Sequence, residues 1–164
     1  MTELRIREAV RALVIDTDDR ILLVRWLLRG LDVWGTPGGG MDEGEDVEQA
    51  LRRELDEELG IGQAAVIGPQ IWERTHIIPF ISGLWDGQHD RFFLVRTPPF
   101  EPRPQLTAEQ LIAEHLVAMQ WWTLDELAAF EPTETEFFAP RRLPTLVADL
   151  VAHGPPPTPI DTGT

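Results

Sequence analysis

The chain has 164 residues, 43% of them apolar and 26% charged, which suits a single folded domain large enough to bury a core. It contains no cysteine, which excludes disulfides, zinc–thiolate sites and thiol nucleophiles. Its formal net charge of -14 argues against binding duplex nucleic acid, because that requires clustered Lys and Arg. No apolar run reaches the ~18 residues of a membrane span, and Met1–Arg5 leads into no secretory signal, so no membrane partner and a cytoplasmic location are expected.

Residues 8–16 and 21–28 are rich in strand formers and flank the turn Asp16-Thr17-Asp18-Asp19-Arg20, which predicts a β-hairpin. Their continuous apolar character predicts strands covered on both faces. Arg25 interrupts the second run; it is either a sheet-end charge reaching solvent or a phosphate contact. Next, Pro37 is followed by Gly38, Gly39 and Gly40, a series expected to make a sharp turn whose backbone can approach a ligand closely. It is not a P-loop, since no Gly-Lys-Ser/Thr follows.

A helix is clearly signalled after this turn. Asp46 and Gln49 form a capping-box pair, Val47, Leu51, Leu55 and Leu59 make an apolar stripe, and Gly60 stands where a left-handed C-terminal residue is expected. Glu54, Glu57 and Glu58 lie at i, i+3 and i+4, which stacks three carboxylates on one face. Between Asp42 and Glu58 there are nine acidic and two basic residues, a net -7. Either this is a solvated acidic face, or a hard divalent cation compensates it and inverts the local potential for an anionic substrate.

Residues 70–78 and 89–96 read as a second strand pair joined by a long loop over 79–88. Trp72, Phe80 and Trp85 are aromatic candidates for stacking on a substrate, against the commoner role of packing. Pro98–Pro104 reads as an extended connector, Thr107 with Gln110 as a capped helical turn leading to Glu114, and 116–122 as a strand. Thr123 with Glu126 caps a helix to about Phe130, and Leu143, Leu146, Val147, Leu150 and Val151 mark a last amphipathic helix. The domain is thus expected over 1–153, with 154–164, which holds four prolines, as a loose or partner-bound tail. His76, His89, His115 and His153 show no ligand spacing, and Arg141-Arg142 read as solvated.

Gly39, five residues, Glu45, seven residues, then Arg53-Glu54-Leu55-Asp56-Glu57-Glu58-Leu59-Gly60-Ile61 resembles the complete Nudix box, with Trp34 and Pro37-Gly38 similar to its usual lead-in. Every defined position of that motif is filled. The resemblance to Nudix hydrolases implies an α/β fold, an α/β/α sandwich around a mixed β-sheet with the box as loop–helix–loop. It implies a Mg²⁺- or Mn²⁺-dependent pyrophosphohydrolase acting on a nucleoside diphosphate linked to another moiety. By motif position, Glu54, Glu57 and Glu58 correspond to metal-binding carboxylates, Gly38 to a carbonyl ligand, and Glu45 with Arg53 to the pair that braces the loop. Glu57 or Glu114 would be the general base, and Glu114 also matches a place where an additional metal ligand stands. Nucleotide sugars, ADP-ribose, dinucleoside polyphosphates and nucleoside triphosphates all remain open as substrates. The alternative is a non-catalytic nucleotide or ADP-ribose sensor, which degenerate box glutamates would favour. Family habit also implies a homodimer.

Overall fold

A computed structural model describes residues 2–80 and 82–163. Strand β1 (Ile6–Asp16) is the centre of the sheet. It runs antiparallel to β2 (Ile21–Leu28) in the expected hairpin, and antiparallel to the short β4 (Gly38–Gly40) along its first half. On its other side it pairs in parallel with β6 (Gly87–Thr97) over its whole length, from Ile6–Gly87 to Asp16–Thr97. Beyond these lie β3 (Leu31–Gly35), β5 (Val66–His76), β7 (Leu116–Trp122), β8 (Glu136–Ala139) and β9 (Ile160–Asp161). Among the described residues they form one mixed nine-stranded sheet in the order β8-β3-β2-β1-β6-β5-β9, with β7 on β2 and β4 on β1.

The two-sided apolar character of β1 follows from its position between two cores. Leu13 and Ile15 face one core with Trp72, Phe92 and helix α4 (Leu143–His153), while Val10, Ala12 and Val14 face the other with helix α1 (Val47–Leu59). Alternate residues of a strand point to opposite faces, so both sets must be apolar. Two short helices, α2 (Ala108–Ala113) and α3 (Leu124–Ala129), carry the expected capping boxes at Thr107 and Thr123. The result is an α/β/α sandwich. No helix among the described residues is long and apolar enough to cross a membrane.

Two expectations are corrected, and one pairing was not foreseen. The glycines after Pro37 do turn the chain, but they then form strand β4 on β1, in register Val10–Gly39. Strand β8 pairs in parallel with β3, a contact between distant segments that no local pattern reveals. The segment 154–164 is not loose through 163: β9 adds to β5 in parallel, Thr162 N–H donates to Glu73 O at 3.0 Å, and Thr162 is wholly buried. An open sheet edge has unpaired N–H and C=O groups, and the tail satisfies some of them despite its prolines.

Candidate active site

Helix α1 forms as its local signals require. Asp46 accepts from Gln49 N–H at 2.8 Å, Gln49 accepts in return from Asp46 N–H at 2.9 Å, and Gly60 closes the helix at φ 75°. Leu51, Leu55 and Leu59 are buried against the sheet, each burial stabilising by roughly 1.5–3 kcal/mol. With that stripe fixed, Glu54 and Glu58 turn toward strand β4.

The three glycines of β4 each leave room that a neighbour occupies. A Cβ on Gly38 would strike the Val10 carbonyl, one on Gly39 the Glu54 carboxylate, and one on Gly40 the Arg7 guanidinium. Gly38 also has φ 136°, which disfavours any side chain. Its N–H donates to Glu58 Oε2 at 3.1 Å, and its carbonyl accepts from Arg11 Nη1 at 3.0 Å. Arg53 ties the loop to the helix, donating to Glu45 at 2.7 and 2.8 Å, to Gly40 O at 3.0 Å and to Glu54 at 2.9 Å. These bonds hold the Glu45 carboxyl down at about 2.

Burial first, and neighbouring carboxylates after it, raise three of these groups. Burial, then the Glu54 charge, pushes the Glu58 carboxyl well above the usual range, with Glu114 adding to the effect. Burial and, more weakly, Glu57 raise Glu54, while burial followed by Glu57 raises Glu114. Glu114 stands at the C-terminal end of α2, near enough to the box for the Glu57 charge to act on it. Glu54, Glu57, Glu58 and Glu114 therefore converge on one region. They do not form a ready cage: among the described residues no three His, Asp or Glu side chains are gathered in ligand geometry. Glu58 is instead turned to Gly38 N–H and Glu54 to Arg53. The donor set itself, all oxygen and short of positive partners, fits a hard divalent cation.

A second wall, which the sequence reading missed, stands across β4. Asp90 on β6 is fully buried and accepts from Arg11 at 3.0 Å, Arg74 at 2.9 Å and Gln88 at 2.8 Å, with His76 Nε2 at 3.4 Å. Despite its burial, the Arg11 charge first and then the hydrogen bonds and the Arg74 charge hold its carboxyl far below the ordinary range. Arg7 lies on the same face, donating to Gln88 at 3.3 Å, with the Phe80 ring 5.6 Å from its guanidinium. The signal was available: Arg7 and Arg11, Arg74 and His76, Gln88 and Asp90 all keep the spacing that puts them on one face of a strand.

Other candidates are placed elsewhere. Trp72 is 1% exposed and packs on Phe92 in the α4 core, so it is a core residue with no access to a ligand. Arg25 stacks on Trp34 and lies 3.6 Å from Asp32, and its described partners include neither the box carboxylates nor the Asp90 wall. Phe80 does reach the site through Arg7. Trp85 is half-buried and closes the 77–86 loop by accepting from Phe80 N–H at 3.0 Å. The Gly38 carbonyl, expected as a metal ligand, is held by Arg11.

Similar proteins are found by sequence and by fold. An RNA pyrophosphohydrolase of Sphingopyxis alaskensis is 34% identical over 98 residues, covering 55% of this chain and 62% of that protein. The chain thus spans less than two thirds of the length of that relative. An RNA pyrophosphohydrolase of Gluconacetobacter diazotrophicus is 29% identical over 167 positions, covering 94% of this chain and 96% of that one. The NUDIX domain of Shewanella oneidensis NrtR, solved with ADP ribose, shares the fold with a TM-score of 0.64 at 18% identity, over 92% of this chain and 90% of that one. The NUDIX domain model itself matches residues 5–144, which include the glycine strand, the carboxylate helix and Glu114, and the chain belongs to the NUDIX domain family.

Proposed function

We propose that the protein is a divalent-metal-dependent hydrolase of a phosphoanhydride bond in a nucleoside diphosphate derivative. The observation that carries this is the convergence of Glu54, Glu57, Glu58 and Glu114 beside a strand without side chains, where burial and then neighbouring carboxylates raise Glu54, Glu58 and Glu114. These four would hold Mg²⁺ or Mn²⁺, which when bound neutralises a diphosphate and makes a coordinated water more acidic. Arg53 and Glu45 keep the loop and helix in one geometry, and Glu54 would turn from Arg53 to reach the ion. Glu57 or Glu114 accepts the proton of the attacking water. The water oxygen bonds to one phosphorus, the bridging oxygen leaves with the other phosphoryl group, and the displaced charge is spread over phosphate oxygens.

Relatives named RNA pyrophosphohydrolase support the 5′-triphosphate end of RNA as the first substrate to test. The net charge of -14 limits contacts to the end of such a chain rather than its length. The test is a turnover panel with Mg²⁺ or Mn²⁺ over triphosphorylated oligonucleotide, ADP-ribose, nucleotide sugars, dinucleoside polyphosphates and oxidised nucleoside triphosphates. Glu57→Gln and Glu114→Gln run beside the wild type; whichever serves as base should lose roughly 10²–10⁴-fold in kcat. Tight nucleotide binding with no turnover on any of these would support a sensor instead.

A further inference from the structure

We propose that Arg7 is a specificity-determining residue whose guanidinium receives the phosphoryl group of the substrate that is not held at the box carboxylates. This rests on the hydrolase reading above and names the residue that recognises the rest of the diphosphate. Three arginines face the wall opposite α1, and they are not equivalent. Arg11 and Arg74 are committed to the buried Asp90, at 3.0 and 2.9 Å. Arg11 is further tied to the Gly38 carbonyl. Arg7 has no carboxylate within ion-pair distance among the described residues; its hydrogen bond goes to the neutral Gln88 side chain at 3.3 Å. A half-buried guanidinium with spare donors needs an anion, and its planar fork suits phosphate oxygens bidentately.

The strand is built to hold this group. Gly40 leaves free the volume that the Arg7 Nε, Nη2 and Cζ atoms occupy, and Phe80 supports the guanidinium from the loop side. The adjacent Gly39 does the same for the Glu54 carboxylate. Consecutive residues of β4 thus seat one anionic and one cationic side chain, with Cα atoms about 3.8 Å apart. Burial and the nearby Arg11 charge lower the Arg7 pKa, while Glu54, Asp90 and Asp42 act the other way from a distance. A second phosphoryl group entering between them would supply the partner that Arg7 lacks.

The test uses methylenediphosphonate, which cannot be hydrolysed, titrated calorimetrically into the whole chain in Mg²⁺ buffer. Arg7→Gln should weaken binding at least about tenfold and Arg7→Lys by less, since lysine keeps the charge but not the fork. Gly40→Ala should reproduce the loss, because it drives an intact Arg7 from its seat; it also serves if Arg7→Gln folds poorly by circular dichroism. Arg141→Gln, remote beside Phe137, should bind as wild type. Wild-type affinity in Arg7→Gln or in Gly40→Ala, or no binding by the wild type, would overturn the assignment. Since the probe is not turned over, failure of the substrate panel with Arg7-dependent binding intact would sink the hydrolase reading and leave Arg7 standing.

Discussion

Asp90 shows how one residue organises a wall. It is fully buried, and the bonds from Arg11, Arg74 and Gln88 make that tolerable. Asp90→Ala should cost about 3–5 kcal/mol in a denaturant melt, because two guanidinium groups are left without their counter-charge. Glu58 behaves oppositely. Its carboxyl is raised in the fold, so its favourable contribution is complete below the ordinary carboxylate range and is lost as pH rises through the folded value. In EDTA, Glu58→Gln should therefore melt higher than wild type at pH 8, by about 2–4 °C per kcal/mol, with the gap closing toward pH 4. Glu45, held at about 2, stabilises above the ordinary range and loses its contribution as pH falls toward 2; Glu45→Gln should flatten that acid limb. The box residues were legible because helix spacing stacks them. Trp72 was left between packing and stacking because an aromatic in a strand looks the same whether it faces a core or a ligand, and the register with Phe92 decides for packing.

At the level of elements, α1 was readable to its caps because each signal lies within a few residues of the next: Asp46 with Gln49, the leucine stripe, Gly60. Strands β4, β8 and β9 were not, because each is defined by a distant partner. Three consecutive glycines have poor strand propensity, yet pairing with β1 and the groups packed at their Cβ positions, backbone at Gly38 and side chains at Gly39 and Gly40, fix them there. Arg53 links helix to strand, and Arg53→Ala should cost about 1–3 kcal/mol while releasing Gly40 and Glu45. Removing residues 155–164 should expose the edge of β5 beside Trp72 and Glu73. Faster amide exchange at β5 and concentration-dependent aggregation would be the readouts, and unchanged exchange there would count against a docked tail.

The whole molecule is a sheet with an apolar core on each face and one polar end. The α4 face of the sheet is apolar at Leu13, Ile15, Trp72 and Phe92, and becomes charged at Arg7, Arg11, Arg74, His76 and Asp90. Helix α1 brings its carboxylates to the opposite side of the same glycine strand. An acidic helix and a basic wall thus meet across β4, the arrangement a metal-bound diphosphate requires. The most direct measurement is initial-rate hydrolysis of a triphosphorylated oligonucleotide and ADP-ribose in Mg²⁺, by wild type and by the double variant Glu57→Gln, Glu58→Gln, with EDTA controls. Turnover of at least one substrate that disappears in EDTA and falls by at least about 10²-fold in the double variant is expected. Turnover that persists in EDTA, or that the double variant retains at the wild-type rate, would contradict a metal-dependent reaction at these carboxylates.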